Sequence, residues 1–327
     1  MDNLTHSLVG AALGQAGLKR RTPLAMATLV IGANFPDIDV VAVPLGRGLE
    51  LRRGWTHGVL ALAVLPFVLT ALVLAWDRWV RRRNRTPRGR GATGFEPGRD
   101  GGAPARPRQV LLLAFVSILT HPTLDWMNTY GMRWLMPFRD AWYYGDALFI
   151  VDPWILLALG AAVWLSARRR TAGAREAAAA RPARIALAAV AAYTLAMLLV
   201  GVAGRGAVLR AFAPRRLAPG AVMVAPVALN PLVRDVVVRD GDTYRFGTLH
   251  VLPWRLELRR DALPTGAADP AARRAAASPE VRPFLRWARF PYFETEYRAD
   301  GEYVRISDAR YGAAGWATMA VRVAGGR

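Results

Sequence analysis

The chain has 327 residues, a 53% apolar composition, a formal net charge of +20 and no cysteine. The lack of cysteine excludes thiolate metal sites, disulfides and a cysteine nucleophile. The positive charge does not point to nucleic acid, because no recognition motif accompanies it and the arginines gather in loops between apolar segments.

Met1–Thr5 carries no basic residue and no clean hydrophobic region follows, so no cleavable signal peptide is expected. Two short apolar stretches come first, Leu8–Leu18 and Leu24–Phe35, separated by Lys19, Arg20 and Arg21. At about 12 residues each they fall short of the ~20 that a spanning helix needs, which predicts a re-entrant or tilted hairpin. Four longer runs follow and are read as membrane spans: Val59–Trp76, Val110–Leu119 continuing through Trp126, Ala147–Ala167 and Ile185–Ala203. The loop Asp77–Arg108 carries ten arginines against three acids, and Arg168–Arg184 carries six against one. Such an excess marks the cytoplasmic side and suits contact with anionic lipid headgroups. Within the first loop, Arg85–Arg108 is rich in Arg, Gly and Pro without an apolar face and is expected to be disordered.

Beyond Arg205 the pattern changes. Val222–Val227, Val233–Val238, Thr243–Val251, Arg255–Leu258, Tyr303–Asp308 and Ala317–Val323 are β-type runs separated by turn signals such as Asp240-Gly-Asp242. Ala267–Pro279 reads as a loop or short helix inserted among them. The expected fold is an α-helical integral membrane bundle over residues 1–204, with a C-terminal, mostly antiparallel β (α+β) extramembrane domain over residues 205–327. The location expected is the inner (plasma) membrane, multi-pass, with the C-terminal domain extracytoplasmic.

Three of the four histidines, His6, His57 and His121, each follow a threonine at the edge of an apolar segment. Near them stand Asp37 and Asp39, in Asn34-Phe-Pro-Asp-Ile-Asp39, and Asp125, four residues after His121. Ionisable groups at membrane depth are expensive and read as functional. With the arginine-rich loops inside, all six fall toward the outer face, and imidazole plus carboxylate is a divalent-metal donor set. His121 and Asp125 share a helix face at i, i+4, although Pro122 favours a kink or restart there. The plainer alternatives are a buried His–Asp hydrogen bond, an Asp37 or Asp39 helix cap, and a solvated His6. The threonine hydroxyls fit either orientation of carboxylates or capping of the helices that follow. Arg52 and Arg53 suit lipid headgroups or bidentate binding of a substrate phosphate or carboxylate. His250, in a predicted strand, is read as structural.

Thr5-His6-Ser, Pro36-Asp37-Ile-Asp39, Arg53-Gly-Trp-Thr-His57 and His121-Pro-Thr-Leu-Asp125, followed by Gly131 and Pro137, resemble the bacterial membrane-bound, metal-dependent hydrolase family typified by YdjM. Ala288-Arg-Phe-Pro291 and Ser307-Asp-Ala-Arg-Tyr311 are similar to the tail of its longer members. One departure is Arg52, where the family often has histidine. The resemblance implies hydrolysis with a divalent metal. The residues expected to hold it are His6, Asp37, Asp39, His57, His121 and Asp125, with Zn²⁺ first and Mn²⁺ second. Asp39 or Asp125 is expected to take a proton from water, and Arg52 and Arg53 to contact an amphiphilic ester or phosphoester near the outer leaflet. Expected partners are membrane lipid and that substrate, not nucleic acid. The competing readings are an ion or proton pathway and a scaffold in which the metal is structural.

Overall fold

The structure, a computed structural model, describes residues 1–85, 103–213, 217–312 and 315–323. Most of the arginine-rich segment expected to be disordered, residues 86–102, lies outside the described residues. The chain packs as two compact units, one of residues 1–46, 51–145 and 150–195, the other of residues 47–50, 146–149 and 196–327.

Helices α1 (Asn3–Gln15), α2 (Ala25–Gly32), α3 (Gly48–Leu51), α4 (Val59–Arg85), α5 (Pro107–Trp126), α6 (Pro153–Thr171) and α7 (Glu176–Ala211) form in chain order. In the first unit α1 packs against α2, α5 and α6, α2 also against α5, and α4 against α5. Local chemistry sets the boundaries. The Asp2 carboxylate caps α1 by accepting from the Thr5 amide, and Asp152 caps α6 by accepting from the amides of Trp154 and Ile155. Pro107 and Pro153 occupy first-turn positions, where the missing amide proton costs nothing. Small residues let the helices approach. A methyl group on Gly10 would lie 2.5 Å from the Leu29 carbonyl oxygen, and one on Gly32 would lie 2.0 Å from Ser117 Oγ.

Among the described residues, three helical stretches are long and apolar enough to cross a membrane: Val59–Arg83, Pro107–Trp126 and Glu176–Ala211. A fourth candidate is broken, with α2 followed across a 43° bend by a 3₁₀ helix over Phe35–Ala42. This agrees with the irregular N-terminal hairpin expected from the short apolar runs. The helix of the expected span Ala147–Ala167 starts later than expected: it begins at Pro153 and runs to Thr171, with Arg168, Arg169 and Arg170 in its last turn. Helix α5 runs on through Pro122 without restarting, so His121 and Asp125 share a face of one helix.

The second unit holds two antiparallel sheets. One is a four-stranded meander of β1 (Val222–Pro226), β2 (Val233–Asp240), β3 (Thr243–His250) and β4 (Arg255–Pro264). Two short helices follow, α8 (Pro270–Ala277) and α9 (Arg282–Trp287). Then comes the three-stranded meander of β5 (Pro291–Arg298), β6 (Gly301–Asp308) and β7 (Thr318–Val323). All of β1 is buried because both its faces are covered. Val222 and Val224 pack with Val208 of α7 and Phe212 just beyond it, while Met223 and Ala225 pack with Phe290 and with Tyr292 of β5. Tyr244 ties the sheets by donating its hydroxyl to the Pro291 carbonyl at 2.7 Å. Buried Asp146 pairs with Arg289 at 2.8 Å and Arg205 at 3.1 Å within this unit. Strand β5 was not among the β-type runs of the sequence. Its acids Glu294 and Glu296 both pair with Arg305 of β6, so they serve the sheet as cross-strand partners.

Candidate metal centre

Four side chains from three segments of the first unit converge: Asp37 on the 3₁₀ helix, His57 just before α4, and His121 and Asp125 on α5. His57 Nε2 lies 3.1 Å from His121 Nε2, 3.6 Å from Asp37 Oδ1 and 3.5 Å from Asp125 Oδ2. His121 Nε2 lies 3.5 Å from each of the same two oxygens. Donors held about 2.0–2.1 Å from one ion in a tetrahedron stand about 3.3 Å apart, so the spacing fits a divalent cation.

Hydrogen bonding on the far side of each ring strengthens the fit. His121 Nδ1 is 2.7 Å from the Ala33 carbonyl oxygen, which only accepts, so this nitrogen carries the proton. His57 Nδ1 lies 3.3 Å from Asp39 Oδ2, a carboxylate that also accepts from the Arg53 amide and the Thr56 hydroxyl. With Nδ1 of each ring committed to an acceptor behind it, the two Nε2 atoms face each other, and a proton on His57 or a bound cation relieves their repulsion. Asp125 Oδ2 is buried with no hydrogen bond among the described residues. Burial by itself lowers the His57 imidazole, but hydrogen bonds to Asp125, Asp37 and Asp39 outweigh it and raise it to about 10. The surroundings thus favour positive charge at this point.

The other expected residues take different places. Asp39 stands behind His57 and orients it. His6 is fully buried and stacks on His121 with ring centroids 3.8 Å apart, its Nε2 3.4 Å from Asp125 Oδ1. Burial pushes the His6 imidazole down to about 4, which keeps its ring neutral. Arg53 is turned inward: its guanidinium reaches Asp125 Oδ1 at 3.2 Å, the Gly131 carbonyl at 3.1 Å and Asn128 Oδ1 at 3.3 Å, and it covers the Tyr130 ring. Arg52 lies at the rim, its Nε 3.8 Å from Asp39 Oδ1. The amino group of Met1 also donates to Asp125 Oδ1. Of the three threonines, Thr56 orients a site carboxylate, Thr5 bonds the Asp2 cap, and Thr120 donates to the Ser117 carbonyl. His250, a residue of the second unit, pairs with Val233 between β3 and β2.

Two contributors carried no readable signal. The Ala33 carbonyl is a backbone group, and Asn128 matches no spacing pattern, yet its side chain also accepts from the amides of Tyr130 and Gly131.

No solved structure matches the chain. Among curated proteins, YfhP of Bacillus subtilis (strain 168), described as uncharacterized, is 25% identical over 175 residues, covering 50% of this chain and 45% of YfhP. The chain thus spans about half the length of that curated relative. The model of the YdjM inner membrane protein family matches residues 1–208, which include all four clustered residues. The chain belongs to the YdjM inner membrane protein family.

Proposed function

We propose that this inner-membrane protein is a metal-dependent hydrolase acting on an ester or phosphoester of an amphiphilic substrate. The observation that carries the reading is the pair of imidazole Nε2 atoms 3.1 Å apart, closed off by two carboxylate oxygens. Two nitrogens and two oxygens suit Zn²⁺ best, with Mn²⁺ second. Bound there, the ion supplies Lewis-acid polarisation of the scissile group and acidifies water at neutral pH.

The chain's own residues divide the remaining work. His57, His121, Asp125 and one oxygen of Asp37 would hold the ion, and His6 stacks on His121. Asp39 and Arg53 orient His57 and Asp125 through the contacts described above. Asp37 is the cluster's accessible member, with its side chain 12% exposed. Asp39 and Asp125 are the expected proton acceptors, but hydrogen bonds commit them to holding roles, so we assign the step to the second carboxylate oxygen of Asp37. In the reaction water's oxygen bonds to the carbonyl carbon or phosphorus and the ester oxygen leaves. One product gains the hydroxyl, and the other takes the proton through Asp37. Arg52, at the rim, is the guanidinium placed to meet an anionic head.

The topology belongs to the same proposal. Arginine-rich segments after α4 and at the end of α6 face the cytoplasm, Trp76 and Trp79 sit at that interface, and the β-rich unit lies outside. The test is elemental analysis of detergent-purified protein beside His57→Ala and Asp37→Ala. One or more tightly held ions in wild type, lost in both variants, followed by metal-dependent turnover of an ester or phosphoester, is the expected result. Wild type that stays metal-free after repletion would overturn the hydrolase.

A further inference from the structure

The turns at one end of the four-stranded sheet are apolar, where turns are ordinarily polar. Residues 227–232 join β1 to β2, and residues 251–254 join β3 to β4. Together they contain no charged residue, and Asn230 is their one polar side chain. Val233 pairs with His250, and the Val251 amide donates to the Leu232 carbonyl at 2.8 Å, so the two turns form a single tip. Leu229, Leu232, Leu252 and Trp254 stand on it, between 43% and 74% exposed. The β2–β3 turn at the opposite end carries Arg239, Asp240 and Asp242, the composition of a loop in water.

Helix α7 fixes which way the tip points. Val208 packs with Val222 and Val238, near the charged end of the sheet. One turn earlier, a methyl group on Gly204 would lie 2.6 Å from Leu249 and 3.0 Å from Val224, so the sheet rides directly on the helix there. Earlier still, the buried Arg234 guanidinium donates to the Met197 carbonyl at 2.9 Å. The sheet thus follows α7 backwards, with its apolar tip toward the middle of the helix. Residues 185–204 of α7 carry no charge and stand between Arg184 and Arg205. At 1.5 Å per residue they measure about 30 Å, the thickness of a hydrocarbon core. Met197 is about 10 Å inside the Gly204 end of that stretch, and Leu199 and Val202 beside it are exposed. A tip adjoining Arg234 therefore lies where hydrocarbon meets headgroups. Turn backbone is not tolerated in the hydrocarbon itself, so the side chains enter and the backbone stays at headgroup level.

We propose that Leu229, Leu232, Leu252 and Trp254 form a docking surface whose partner is the lipid leaflet that α7 enters, the outer leaflet in the orientation proposed above. Lipid is the fitting occupant because the tip continues the lipid-facing side of α7 and because leucine and tryptophan are the side chains that the membrane interface favours. The proposal rests on α7 crossing the membrane and is independent of the hydrolytic reading. The β-rich unit is then held to the bilayer at two points, α7 and the tip, and does not swing on the helix alone.

The chain has no cysteine, so nitroxide labels are placed singly through Leu229→Cys, Leu252→Cys, Val202→Cys and Asp242→Cys. The full-length protein is reconstituted in phosphatidylethanolamine/phosphatidylglycerol vesicles. Power-saturation electron paramagnetic resonance then compares collisions with oxygen, which concentrates in lipid, and with a nickel chelate present in the water on both sides. Labels at 229 and 252 should favour oxygen, as at 202, whereas the label at 242 should favour the chelate. Adding Leu252→Asp and Trp254→Asp should shift the 229 label to the value at 242 and leave the 202 label unchanged. Labels at 229 and 252 that match 242 without those aspartates would overturn the proposal. Protection from both probes would mean cover by protein, in a purified preparation a second copy of this chain, and would overturn it equally. A 229 label that stays in lipid despite the two aspartates would show that α7 alone sets its depth and overturn the docking role. A 202 label that favours the chelate would remove the span and the proposal with it.

Discussion

Asp37 and Asp39 are two residues apart and chemically identical, yet their replacement should have different consequences. Asp39 Oδ2 receives the Thr56 hydroxyl at 2.8 Å, the Arg53 amide at 2.9 Å and His57 Nδ1 at 3.3 Å. Asp39→Asn keeps a carbonyl oxygen for these donors but removes the charge that fixes the His57 tautomer and raises its basicity. Loss of such an outer partner typically weakens metal binding 10- to 100-fold, about 1.4–2.7 kcal/mol. Zinc titration of detergent-solubilised protein against a competing chelator reads this directly. Asp39→Asn should bind the wild-type number of ions with affinity reduced in that range, whereas Asp37→Ala should lose stoichiometric binding. Unchanged affinity in Asp39→Asn would refute the assigned role. Complete loss of the ion would make Asp39 a donor in its own right and refute it equally.

Gly32→Ala places a methyl group 2.0 Å from Ser117 Oγ, next to the Ala33 carbonyl that holds His121, and should cost about 1–3 kcal/mol in detergent thermal unfolding, largely restored by adding Ser117→Gly. Asp146→Ala removes the buried partner shared by Arg205 and Arg289 and should destabilise the β-rich unit by about 3–5 kcal/mol, read as an earlier loss of β-sheet circular dichroism. The chain has no cysteine, so Ser278→Cys gives a single label site; a membrane-impermeant maleimide should modify it in spheroplasts without lysis, and labelling only after lysis would reverse the proposed orientation.

The i, i+4 spacing of His121 and Asp125 places both side chains on one face of a helix, and Pro122 does not alter that. The roles of Asp37 and Asp39 were less accessible. Read as an extended pair, they share one side. In a 3₁₀ helix, with three residues per turn, residues two apart point in different directions, so Asp37 meets the cluster and Asp39 passes behind His57. Arg53 looked like a substrate contact because its positive charge is visible in the sequence and its burial is not. The Ala147–Ala167 run concealed a helix start because Leu148 and Ile150 carry hydropathy across the Asp152-Pro153 cap. Strand β5 was hidden because its glutamates face arginine on a neighbouring strand and interrupt the expected alternation.

The clustered donors lie at residues 37, 57, 121 and 125, so segments of 19 and 63 residues separate the three parts of the chain that supply them. An ion gripping all three acts as a removable cross-link, closing loops whose ends the chain would otherwise have to bring together at an entropic cost. Folding and ion supply then become thermodynamically linked: free ion at about 100 times its dissociation constant adds about 2.7 kcal/mol to the folded state. The melting temperature of any preparation would follow its history of exposure to chelators, and a cell starved of the ion would lose the folded protein itself.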